Sequence, residues 1–160
     1  MRSERPPMTW HVMVAPLAVR HGGTHRPDHE EDAVADVTSI VDTYLAMWNE
    51  EDGGRRRELI ATAWREDGRY VDPLQEAEGH DAIDAMVAAL QGQMPGHRFT
   101  RTSAVDVHHD EVRFGWQLAA PDGAVAVAGV DVGSVAADGR VQRITGFFGP
   151  LPEEDGDGEP

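Results

Sequence analysis

The chain has 160 residues, enough for one domain with tails. It is 40% hydrophobic and 27% charged, as folded soluble domains are. A formal charge of -15 sets it against nucleic acids and anionic membranes, and the lack of cysteine excludes disulfides, thiolate metal sites and thiol catalysis. No run approaches the ~18 apolar residues of a membrane span. A cysteine-free, acidic chain of this kind is compatible with the cytoplasm, which is the expected location.

Residues 1–31 are rich in Pro, Gly, His and Arg without a sustained period, and read as a flexible N-terminal extension. Arg2 and Arg5 followed by Met8 to Val19 imitate a signal peptide weakly, but His11 and Pro16 interrupt the run and no clear cleavage site follows. His21, His25 and His29 would form a metal-binding stripe on a helix, but Gly22, Gly23 and Pro27 oppose a helix there. The domain is expected over 32–150, and 151–160 reads as a disordered acidic tail.

Val34, Val37, Val41, Tyr44, Leu45 and Trp48 recur at helical spacing and predict a first helix with one apolar face, ended by Asn49 and Gly53-Gly54. A second helix is predicted from about Arg55 to Trp64, burying Leu59, Ile60, Ala63 and Trp64. Asp67-Gly68 then reads as a turn into a short strand ending at Asp72, because Pro73 lacks an N–H and cannot continue it. The carboxylate is presented where the chain bends away. After Gly79 a third helix carries Ile83, Met86, Val87 and Leu90 on one stripe, and Pro95-Gly96 stops it.

Beyond this point the period changes from 3.6 to 2. Phe99 to Val107 alternates, His108-His109-Asp110 makes a turn, and Val112, Phe114, Trp116 and Leu118 share one strand face. Pro121-Asp122-Gly123 and Asp138-Gly139 separate two more strands, about Ala124 to Val135 and Arg140 to Phe148. The fold class is therefore α+β: three helices, with a short strand before the third, packed on a mainly antiparallel, strongly curved sheet. Such a layer pair can enclose a cone-shaped cavity.

Four motifs carry a resemblance to the nuclear transport factor 2-like superfamily over about Val34 to Pro150. They are Ser39-Ile40-Val41-Asp42-Thr43-Tyr44 with Trp48-Asn49, and Tyr70-Val71-Asp72-Pro73 with Gly79 and Ile83. Ala128-Gly129-Val130-Asp131-Val132 is the third, and Asp138-Gly139-Arg140-Val141 leading to Gly146-Phe147-Phe148-Gly149 the fourth. The superfamily includes ketosteroid isomerases and SnoaL-like polyketide cyclases. The resemblance implies a conical pocket, no cofactor or metal, and a homodimer built on the sheet.

In ketosteroid isomerases a carboxylate before the strand-ending proline moves a proton, while a tyrosine and a neutral aspartic acid stabilise the enolate oxygen. By motif, Asp72 matches the base, Tyr44 the phenolic donor and Asp131 the neutral acid. The substrate implied is a small apolar carbonyl compound. Trp48, Trp64, Met86 and Leu90 would line its pocket from the helical layer. Tyr70, Phe114, Trp116 and Phe148 would line it from the sheet.

Each residue also has a plainer reading. Asp72 could be a turn aspartate accepting backbone N–H bonds. Tyr44 and the tryptophans could simply pack the core. Asp131 lies in a strand apolar on both faces, where an ionised carboxylate is costly unless paired, and Arg113 or Arg143 could pair it. A non-catalytic ligand-binding or dimerisation module of the same fold is the competing class. The enzyme reading expects an open apolar cavity of roughly 300 Å³ or more with all three polar groups pointing in.

Overall fold

The structure, a computed structural model, describes residues 28–153. The expected extension up to residue 27, the side chains of His21, His25 and His29, and the acidic tail from residue 154 lie outside that description.

The first helix, α1 (Asp28–Asn49), starts four residues before the expected Asp32 and buries Val41, Tyr44, Leu45 and Trp48. α2 (Gly53–Ala63) is capped by Asp52, whose carboxylate accepts the Arg55 N–H at 2.8 Å. Trp64 leaves the helix with extended backbone and opens β1 (Trp64–Val71). The expected turn at Asp67-Gly68 is instead an irregularity inside this strand, where its register shifts between Trp64 and Arg69.

Asp72 to Gln75 form a tight turn into β2 (Glu76–Glu78), a strand too short to show a period in the sequence. α3 (His80–Gln93) follows, burying Ile83, Met86 and Val87. The alternating stretch after it is two strands, β3 (Arg98–Arg101) and β4 (Asp106–His108), separated by residues 102–105. β5 (Glu111–Ala119), β6 (Val125–Val135) and β7 (Val141–Phe148) complete the chain.

The seven strands form one curved sheet in the order β2-β1-β7-β6-β5-β3, with β4 also on β5, and it does not close into a barrel. Every pairing is antiparallel except β1 on β7, which is parallel. The α+β expectation holds. The core lies between helices and sheet and includes Tyr44, Trp48, Ile60, Trp64, Ile83, Phe114 and Ile144.

Strand alternation sorts β5, β6 and β7 into rows on the inner face. Phe114, Asp131 and Gly146 are direct neighbours in one row; Trp116, Gly129 and Phe148 form the next. Gly129 is required here, because an added Cβ would stand 2.7 Å from the Trp116 ring. Val130 and Phe147 are partners on the opposite, outer face and are exposed.

Among the described residues no helix is long and apolar enough to cross a membrane.

Candidate functional site

The inner rows place a cavity of about 80 Å³ between α1, α3 and the sheet. Its lining includes Trp48, Tyr70, Asp72, Gln75, Leu90, Phe99, Trp116 and Phe148. The rings form an unbroken series. Tyr70 and Trp48 have centroids 5.4 Å apart, Trp48 and Phe99 5.2 Å, Phe99 and Trp116 5.4 Å, and Trp116 and Phe148 5.6 Å. Their tilted and edge-to-face geometry is the favourable one for aromatic pairs.

Two devices hold Trp48 and Phe99 in place. Gln91 donates its amide to the carbonyls of Trp48 and Glu50, at 3.1 and 3.0 Å. Asn49 donates to the Phe99 carbonyl at 2.9 Å and accepts the Phe99 N–H at 2.8 Å, so the end of α1 pairs with β3 as a strand would. Behind them, buried Arg56 bonds Asp84 at 2.6 Å and the Glu50 carbonyl at 3.1 Å. No local sequence pattern marks Arg56 and Asp84 as a buried pair, because they lie 28 positions apart on two helices.

Asp72 is the carboxylate in the cavity lining. One oxygen, Oδ1, accepts the backbone N–H groups of Leu74 and Gln75, at 2.7 and 3.0 Å. Its other oxygen accepts the Tyr70 hydroxyl at 2.9 Å, with the Gln75 amide at 3.5 Å. The residue is thus a turn aspartate and a cavity carboxylate at once. The neighbouring Leu74 is 82% exposed at the same wall.

Tyr44 and Asp131 meet one another, deeper in the core. The Tyr44 hydroxyl donates to Asp131 Oδ2 at 2.7 Å, and Trp116 Nε1 donates to Asp131 Oδ1 at 2.8 Å. Asp131 is only 2% exposed. Neither arginine weighed as its partner reaches it, since Arg113 pairs with Asp106 at 2.7 Å and Arg143 with Glu111 at 3.8 Å. The two carboxylates flank Gly146, where a Cβ would stand 3.1 Å from Asp131 Oδ1, 3.3 Å from Asp72 Cβ and 3.4 Å from the Tyr70 hydroxyl. A side chain here would press on both groups, which would have to give by a few tenths of an ångström.

Burial pushes the Asp131 carboxyl up to about 6; the charge of Asp72 adds to the rise, while the bonds from Tyr44 and Trp116 oppose it. Burial, then the Asp131 charge, holds the Tyr44 hydroxyl well above the usual phenol range. Tyr70 is raised by burial first, then by the charges of Asp131 and Asp72.

Of the residues expected at the site, Trp48, Tyr70, Asp72, Leu90, Trp116 and Phe148 lie in the cavity lining. Tyr44, Trp64, Met86, Phe114 and Asp131 are buried in the core outside that lining. Tyr44 packs on Trp48, Trp64 and Phe114 with centroids 5.8 to 6.3 Å apart. Phe99 and Gln75 complete the wall. The alternation from Phe99 to Val107 is the sequence signal for the inward face of Phe99, and Gln75 lies in the turn that follows Asp72. Among the described residues, no group of three or more His, Cys, Asp and Glu side chains is placed to hold a metal.

The SnoaL-like domain family matches residues 41–144, and the chain belongs to that family. A proposed isomerase of the SnoaL-like family from Agrobacterium tumefaciens str. C58 is 43% identical. The match covers 72% of this chain and 99% of that one, with a TM-score of 0.69. A proposed polyketide cyclase from Sinorhizobium meliloti shares the fold at 16% identity and TM-score 0.56, covering 71% and 98%. A protein with a ketosteroid isomerase-like fold from Catenulispora acidiphila DSM 44928, solved with trimethylamine, does so at 16% identity and TM-score 0.56, covering 68% and 84%. No curated protein matches the chain. The nuclear transport factor 2-like fold expected from the sequence is thereby established.

Proposed function

We propose that the chain is an enzyme that binds a small, largely apolar carbonyl compound in the aromatic cavity and transfers a proton through its enolate. The observation that carries this reading is Asp72, a carboxylate set into a wall of aromatic and aliphatic side chains. Restricted hydration and closeness to a bound carbon are what a base for a carbon acid needs. Asp72 takes the α-proton, the C–H electrons move into the enolate, and the same carboxyl returns the proton at the γ-carbon.

The enolate oxygen needs donors. The Tyr70 hydroxyl and the Gln75 amide are in the lining and serve by turning from Asp72, to which both point. Tyr44 reaches the substrate only by releasing Asp131. Asp131 becomes a donor when it is protonated and released from the same bond. The 43% identity to a proposed isomerase of the SnoaL-like family supports this class of chemistry. On the same reading the exposed Val130–Phe147 face is the surface covered in a homodimer.

The test uses cyclohex-3-enone, whose conversion to the conjugated enone is followed by ultraviolet absorbance. Turnover should fall roughly 100-fold or more in Asp72→Asn. Turnover no faster than buffer, with no exchange of the α-hydrogens into deuterium oxide, would overturn the proposal.

A binding module is the second reading, and two observations favour it. The cavity, at about 80 Å³, lies below the roughly 300 Å³ of drug-sized sites. In addition, Tyr44 and Asp131 satisfy one another.

A further inference from the structure

The cavity has an electrostatic character that the proton-transfer reading does not use. Five aromatic rings, Tyr70, Trp48, Phe99, Trp116 and Phe148, follow one another around it, each within 5.6 Å of the next. Asp72 is the one charged side chain among its lining residues, and no Arg or His belongs to the lining.

Aromatic faces carry the negative lobe of the ring quadrupole and attract cations placed against them. Two of these rings are biased further in that direction. The polar edge of Trp116 donates its N–H to Asp131, and the polar edge of Tyr70 donates its O–H to Asp72. A donor edge bonded to a carboxylate leaves more electron density on the ring. Both carboxylates thus add negative potential, one in the wall and one behind it. The chain as a whole, at -15, attracts cations from a distance.

We propose that this cavity binds a small alkylated ammonium ion, with the rings as its cage and Asp72 as its counter-ion. The bonds that Asp72 already accepts do not oppose this, because a caged cation with no N–H needs the charge and not a lone pair. Size agrees with such a ligand. A cavity of about 80 Å³ suits a compact head group rather than a polycyclic compound. The proposal stands without the proton-transfer step. A cation in the cage excludes the carbonyl compound and inhibits any enone turnover competitively.

Choline and its neutral isostere 3,3-dimethylbutan-1-ol are the probes, titrated into the full chain by calorimetry and tryptophan fluorescence. Choline should bind saturably and at least about tenfold more tightly than the isostere. Asp72→Asn should weaken choline about tenfold or more and leave the isostere unchanged. Phe99→Leu keeps an apolar wall but removes one ring, and should weaken choline selectively. Each variant is first matched to the parent by circular dichroism and thermal melting. Equal affinity for the two probes, no saturable choline signal, or undiminished choline binding in Asp72→Asn would overturn the proposal. Choline binding without enone turnover would leave it standing and remove the proton-transfer reading alone; turnover without choline binding would do the reverse.

Discussion

At the scale of the residue, Asp131 carries the clearest consequence. Its carboxyl rises from 3.8 to about 6, chiefly through burial. Between those values the folded chain holds a proton that the unfolded chain has released. Asp131 therefore contributes stability that is complete below the unfolded pKa and is lost as pH rises through the folded one. The loss is roughly 3 kcal/mol between about pH 4 and pH 6. Asp131→Asn keeps the shape but cannot titrate. Urea midpoints measured from pH 4 to 7 should fall less steeply in the variant than in the parent. Parallel profiles would show that Asp131 does not titrate in this window. Surface carboxylates such as Asp67 and Asp138 are lowered by their arginine partners and lose their contribution as pH falls. The comparison with the variant separates the two effects.

At the scale of the element, the end of α1 and the edge strand β3 are joined through one side chain. Asn49 replaces a strand partner for the backbone of Phe99, using both its amide oxygen and its amide nitrogen. Asn49→Ala leaves the Phe99 N–H and carbonyl without these partners. A loss of about 1–2 kcal/mol in unfolding free energy is expected. Amide exchange at Phe99 should quicken more than in the interior of β6, and uniform quickening would argue against a local clamp. Asn49 was legible as a helix end, because its position after the last apolar residue of the stripe is a local signal. Its bonding to a strand 50 residues further on was not. β1 and β2 show the same limit. Asp67-Gly68 has turn chemistry, but pairing of Arg69–Val71 with both β2 and β7 draws the flanking residues into one irregular strand.

At the scale of the molecule, the excess of acidic residues sets the response to salt. Among the described residues, all but one of the ion pairs involve a partner more than a third exposed, and such pairs contribute little. The Arg56–Asp84 pair is the exception among the described residues, with side chains 7% and 13% exposed. Self-repulsion of a net -15 therefore outweighs what screening takes from the pairs. Raising sodium chloride from about 0.01 M to about 0.15 M, where the Debye length shortens to about 8 Å, should raise the melting temperature. A fall would mean that the surface pairs dominate.

By itself the sequence determined the three helices and the antiparallel strands that follow them, the inward faces of α1, α3 and β5, and the presentation of Asp72 before Pro73. These depend on periods of two to four residues and on one proline ring, so they are readable locally. The tertiary structure alone decided that Asp131 meets Tyr44, 87 positions away, and Trp116, 15 away, rather than an arginine. It also decided the parallel pairing of β1 with β7 and the ring of aromatic side chains around the cavity. Those outcomes depend on how strands from distant parts of the chain register against one another. Residues such as Gly129 and Gly146 permit that approach, but no local pattern announces which side chains will fill the space they leave.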